Sequence, residues 1–88
     1  MVKVLLDKKV SEYDPVRHHA AVAKTARANG TPSGDAENFA KNVMNKISVW
    51  IRDKEEITAE ELRAITSGMM AEYDEDAAYL YGSENRMI

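Results

Sequence analysis

The chain has 88 residues, a length that allows one domain, spanning residues 1–88, with a modest hydrophobic core. It contains no cysteine, which excludes both a disulfide-stabilised secreted scaffold and a cysteine-ligated zinc site. The formal net charge is −3, but residues 1–30 carry six lysines and arginines against three acidic residues. An anion should therefore prefer the N-terminal third of the chain. The acidic remainder should repel a long polyanion such as DNA.

Two short strands are predicted at the N-terminus. Residues 2–6 are rich in valine and leucine, and residues 10–13 begin with valine and end in tyrosine. The polar residues 7–9 lie between the two segments. Two such runs separated by a short polar turn are typical of a β-hairpin.

The first helix is predicted over residues 15–29. Asp14 can accept hydrogen bonds from the first free backbone N–H groups, and Pro15 is tolerated at the first helical position. Asn29 and Gly30 tolerate a left-handed backbone, which favours a helix end at this point.

A second helix is predicted over residues 34–51, after a turn at 30–34. Apolar residues recur there at spacings of three and four, which is the pattern of a helix with one buried face. The charged residues 52–56 are predicted to form a surface linker. The apolar stripe consists of Ala36, Phe39, Ala40, Val43, Met44, Ile47 and Ile51.

The third helix, predicted over 58–73, has the clearest local signal. Thr58 and Glu61 have the spacing of a capping box, in which each side chain accepts from the other residue's backbone N–H. Ile57 and Leu62 stand where a hydrophobic staple would close over this turn.

A last short helix is predicted over 74–82, with Asp74 as its cap and Gly82 at its end. The fold class is therefore α+β, mainly α: a four-helix bundle capped by a small two- or three-stranded β-sheet. The core is expected to contain Phe39, Val43, Ile47, Leu62, Ile65 and Met69.

No catalytic motif is present, so an enzyme is not expected. Adjacent His18 and His19 point about 100° apart on a helix and cannot jointly hold a metal, so no metal is expected and His18 is interpreted as a partly buried, hydrogen-bonded imidazole. Trp50 lies beside the buried stripe and is expected to be partly exposed. The sequence has no signal peptide and no membrane span, so a cytoplasmic location is predicted.

Three segments of the chain match the motifs of one known family. They are Tyr-Asp-Pro-Val-Arg-His at 13–18, Ile-Thr-Ala-Glu-Glu-Leu at 57–62 and Ala-Ala-Tyr-Leu-Tyr at 77–81. They resemble the Phe-Asp-x-x-Lys-Ile motif, the Ile-Thr/Ser-x-x-Glu-Ile helix start and the closing tyrosine helix of the ATP-cone, a regulatory nucleotide-binding domain of ribonucleotide reductases and their transcriptional repressors. The resemblance implies a small regulatory domain that binds ATP or dATP and acts in trans on a partner enzyme such as a ribonucleotide reductase.

The resemblance also implies which residues would bind the nucleotide. Arg17 stands at the family's lysine, whereas Leu5 and Leu6 stand where the family has a Lys-Arg pair on the first strand. The lysines of the turn would then replace that charge. The candidate nucleotide-binding residues are Asp14, Arg17, Lys8, Lys9 and Thr58.

An alternative function stays open. Two leucines cannot hold a phosphate, so the alternative is a protein–protein interaction module that kept a cone-like fold and lost nucleotide binding. Its five methionines would suit an adaptable binding surface.

Overall fold

The structure is a computed structural model that describes residues 2–84. Four helices pack with one small sheet, so the predicted α+β, mainly α class is confirmed. In chain order the elements are β1 (Lys3–Leu6), β2 (Lys9–Glu12), α1 (Pro15–Ala28), α2 (Ser33–Ile51), β3 (Glu56–Thr58), α3 (Ala59–Ala71) and α4 (Glu75–Glu84).

The sheet has three strands in the order β2-β1-β3. β1 pairs antiparallel with β2, as predicted, and parallel with β3. The prediction of a surface linker over residues 52–56 is wrong at its last residue, because Glu56 belongs to β3. This strand forms because Ile57 pairs with Val4 and both side chains are buried between the sheet and the helices. The hairpin turn places Asp7 at a φ of 57°.

Helix α1 is closed at both ends by the predicted residues. Asp14 Oδ1 accepts hydrogen bonds from the backbone N–H groups of Val16 and Arg17, each at 3.1 Å. At the other end Gly30 has a φ of 95°, and the N–H of Thr31 donates to the carbonyl of Ala26 at 3.0 Å. This left-handed closure satisfies carbonyl groups that the helix itself leaves without donors.

Asp74 caps α4, as predicted, and accepts from the backbone N–H groups of Asp76 and Ala77 at 3.0 and 3.2 Å. The helix does not end at Gly82 but continues to Glu84. A Cβ on Gly82 would lie 3.5 Å from Oγ of Ser67 on α3, an ordinary van der Waals distance, so the packing of α4 on α3 has room for an alanine at this position.

Two apolar clusters form the core. The first joins α1, α2, α3 and α4 around Val43 and Ile47, and the second joins the sheet to α3 around Ile57 and Leu62. Of the six predicted core residues, Val43, Ile47 and Leu62 are fully buried. The other three are only partly buried and pack against the first cluster: Phe39, Ile65 and Met69.

The capping box of α3 provides a direct test of local stability. Thr58 Oγ1 accepts from the N–H of Glu61 at 3.0 Å, and the Glu61 carboxylate accepts from the N–H of Thr58 at 3.4 Å. We expect Thr58→Ala to lower the free energy of unfolding by about 1 kcal/mol, because it leaves a helix N–H group without its acceptor. Urea unfolding measures this. Thr58→Ser, which retains the hydroxyl, should restore most of the loss, and an unchanged midpoint for Thr58→Ala would contradict the capping role.

Candidate functional site

Asp14 and Arg17 line one small recess between the hairpin and the start of α1. Its volume is about 140 Å³. Sites for drug-sized ligands and cofactors typically measure about 300 to 1,000 Å³, so this recess has room for only part of a nucleotide. The lining residues are Val4, Ser11, Glu12, Tyr13, Asp14 and Arg17.

The recess is lined by charges of both signs. Asp14 already accepts the N–H groups that the start of α1 would offer to an anion, and the Glu12 carboxylate also lines the recess. Glu12 forms an exposed ion pair with Lys3 at 3.2 Å. Arg17 is thus the single cation lining the recess, beside two carboxylates. A triphosphate would meet repulsion from both of them.

The other nucleotide-binding candidates lie elsewhere on the sheet. Lys8 is in the hairpin turn and Lys9 begins β2, whereas Asp14 and Arg17 follow the far end of that strand. Because each residue of a strand advances about 3.4 Å, β2 separates the lysines from the recess by roughly 10 Å of backbone. Thr58 pairs with Leu5 on the opposite side of β1, and its hydroxyl caps α3. The structure brings Asp14 and Arg17 together, but not these three residues.

A fully buried histidine stands behind the recess. His18 lies on α1 with no exposed surface, whereas the sequence predicted partial burial. Its Nδ1 is 2.6 Å from the hydroxyl of Tyr13, and its Nε2 is 3.0 Å from Oγ1 of Thr66 on α3. Tyr81 of α4 packs beside the ring, with the two ring centroids 6.5 Å apart. One imidazole therefore connects α1 to the residue after β2, to α3 and to α4.

The hydrogen bonds determine the protonation state of this imidazole. The Thr66 hydroxyl donates its one proton to the carbonyl of Leu62 at 2.7 Å, so it can only accept from His18 Nε2–H. Nδ1 is then the acceptor for the Tyr13 hydroxyl. The ring is neutral, and burial lowers the pKa of His18 from its ordinary 6.5 to about 4. Burial, and then the negative charge of Asp14, raise the pKa of Tyr13.

This network connects structural elements but offers no accessible reactive group. The side-chain polar atoms of Tyr13, His18 and Thr66 hydrogen-bond with one another, and the hydroxyl of Tyr81 interacts with Thr66. The sequence indicated a hydrogen-bonded His18, but Thr66 could not be identified as its partner, because Thr66 stands 48 residues further along the chain. We interpret the network as a specific polar centre that fixes the packing of three helices.

An open depression lies between α2 and α3 and is called here the α2–α3 groove. Its volume is about 570 Å³, and its walls are almost entirely apolar. Val49 is 62% exposed there, and Trp50 is half-buried. The lining residues are Asn45, Lys46, Val49 and Trp50 of α2 and Met69 of α3.

Helix periodicity explains why this groove exists. Val49 follows Ile47 by two residues, which turns a helix by about 200°, so one side chain enters the core while the other points away from it. Trp50 follows Ile47 by three residues and lies at the edge of the buried stripe, partly exposed as the sequence predicts. The sequence analysis did not identify Val49 as a functional residue, although a valine outside the apolar stripe is the signal that could have found it.

Comparison with protein-family models, with curated proteins and with solved structures found no match to this chain. Within residues 2–84, no three histidine or acidic side chains are grouped closely enough to hold a metal ion. None of the helices in this part of the chain is both long and apolar enough to cross a bilayer.

Proposed function

We propose that this protein is a non-catalytic protein-binding module and that the α2–α3 groove receives its partner. The observation that carries the proposal is an apolar groove of about 570 Å³ in which Val49 is exposed and the half-buried Trp50 lies beside it. The element that presents them is rigid, because α2 is fixed to α1 and the rest of the first cluster through buried residues such as Val43 and Ile47.

The composition of the groove favours a protein partner. Aromatic and methionine side chains are enriched at protein interfaces, where a tryptophan surrounded by apolar neighbours commonly contributes most of the binding energy. Met69 is unbranched and adaptable, so it can adjust to an entering side chain. Lys46 is the one residue of the groove lining that could act as a base or nucleophile, and its hydrogen bond with Glu72 raises its pKa and keeps it protonated, so the groove offers contact surface rather than chemistry.

Capture from a lysate of the source cells, followed by reconstitution, tests the groove. We expect Val49→Gln to weaken the reconstituted complex about tenfold, since it removes one buried apolar side chain from the interface. The matched control is Val10→Gln on β2, where the valine is similarly exposed at 57%. The proposal is supported if the parent and Val10→Gln both retain a protein that Val49→Gln does not retain. The same protein, once purified, should bind the parent again. Equal retention by all three would contradict the proposal.

A second candidate function is the nucleotide sensor that the ATP-cone resemblance implies. One observation favours it: Arg17 forms no ion pair among residues 2–84 and stands at the recess, in the positively charged third of the chain. We expect ATP or dATP to shift the backbone amide NMR signals of residues around the recess, and Arg17→Ala to weaken the affinity about tenfold by removing a charge-assisted hydrogen bond. No shifts at millimolar nucleotide would contradict this function and leave the binding module.

A further inference from the structure

The α2–α3 groove has positive charge at its edge and no carboxylate in its lining. Lys46 lines the groove, but its ammonium donates to Glu72 at 2.8 Å, a hydrogen bond that raises the pKa of Lys46 and compensates its charge. Lys54 differs. Its ammonium lies 4.8 Å from the ring centroid of Trp50, and no carboxylate of residues 2–84 is within ion-pair distance.

A neighbouring recess extends this positive edge. Lys54 and Arg52 both line it, together with Ile51 and residues of the N-terminal segment, and it too has no carboxylate in its lining. Arg52, like Lys54, has no ion pair in the described part of the chain. The end of α2 therefore presents an aromatic and aliphatic surface beside two cations without ionic partners, in a protein whose net charge is negative.

The walls of the groove determine which backbone can enter it. Asn45, Lys46, Val49 and Trp50 belong to α2, and Met69 to α3, so the groove is built from helix side chains. No strand of the described sheet lines the groove, so it has no open strand edge that could pair with an extended peptide. A segment that docks here must satisfy its own backbone hydrogen bonds, as a helix does.

The same charges argue against a symmetric dimer through this groove. In a two-fold pairing through this groove, both copies would bring Arg52 and Lys54 to one interface. Neither copy has a carboxylate in the lining of its groove or of the neighbouring recess to pair with these cations, so the interface would gather positive charge, which is unfavourable. A partner with carboxylates in these places would gain attraction instead.

We propose that the occupant of the α2–α3 groove is an acidic amphipathic helix of another protein. Its apolar face packs on Val49, Trp50 and Met69, and its carboxylates approach Lys54 and Arg52. This inference rests on the proposed function and specifies the partner that the groove selects.

A displayed library of helical peptides tests the charge preference directly. Each peptide would have a fixed leucine-rich face and a polar face randomised among Glu, Gln and Lys, without tryptophan. We expect selection on the parent protein to enrich glutamate. Selection on Lys54→Glu should lose that enrichment or reverse it toward lysine, whereas Lys24→Glu, a charge reversal at an exposed position on α1 away from the groove, should keep it.

Binding of the selected peptides can be followed without a label, because Trp50 is the one tryptophan of the chain. A peptide that covers it should shift its fluorescence emission, and the affinity of a glutamate-rich peptide should fall about tenfold with Lys54→Glu. Enrichment of lysine or of uncharged residues on the parent would overturn the proposal. So would the absence of any enriched peptide, or a protein that sediments as a dimer and loses that state with Val49→Gln.

The two proposals fail in different ways. If Val49→Gln abolishes capture of a partner while the library shows no preference for glutamate, the binding module stands and the acidic helix is wrong. If Val49→Gln leaves capture unchanged, the groove itself is not the binding site.

Discussion

Replacing Ile47 by alanine should lower the free energy of unfolding by about 2 to 5 kcal/mol. Ile47 has no exposed surface and lies in the cluster where the four helices meet. The change removes three buried carbon atoms and leaves a cavity that neighbours anchored on other helices can only partly fill. Urea unfolding at neutral pH, followed by circular dichroism, measures the loss.

Val49→Ala is the matched control on the same helix. Its side chain is 62% exposed, so we expect a change within about 0.5 kcal/mol. This control also shows that variants in the groove keep the fold. Similar losses for the two substitutions would mean that α2 is rotated relative to the structure described above.

Acidification should destabilise the protein through His18, by about 3 kcal/mol between pH 7 and pH 4. The folded-state pKa of this imidazole is about 4, below its ordinary value of 6.5, because the ring is buried and neutral. The unfolded chain therefore binds more protons in this range, and stability falls as the pH is lowered. The contribution is complete above pH 6.5 and decreases by about 1.4 kcal/mol per pH unit down to pH 4.

His18→Gln isolates this effect from the carboxylates, which also titrate in acid. Glutamine can still hydrogen-bond with Tyr13 or Thr66 but does not titrate, so the slope of stability against pH should be shallower than in the parent between pH 6.5 and 5. His19→Gln, which leaves the buried imidazole in place, should retain the parent's slope. Parallel curves for the parent and His18→Gln would show that His18 is not buried in its neutral form.

Local signals predicted the helices well. Asp14, Thr58 and Asp74 cap the helices they were expected to cap, and Gly30 adopts the left-handed backbone that closes α1. Each of these interactions involves residues close together in the chain, so the sequence specifies it without knowledge of the tertiary structure.

Features that depend on distant residues could not be predicted in the same way. β3 has three residues, too few to show an alternating pattern, and it forms because β1 offers it a partner. The contact between His18 and Thr66 depends on how α1 and α3 pack. Lys8 and Lys9 were expected to contribute charge near Arg17, but β2 leads away from these lysines to the recess at its other end, a separation that only the pairing of β2 with β1 reveals.

The place of β1 in the sheet also affects how the chain folds during synthesis. β1 is made first and can form a hairpin with β2, but its other neighbour, β3, leaves the ribosome only after α1 and α2. A lone two-stranded hairpin is at best marginally stable in water. Closing the loop between Val4 and Ile57 costs chain entropy, which the burial of both side chains offsets only once α3 is present. β1 is therefore synthesised before the other described elements but is among the last of them to reach its final structure.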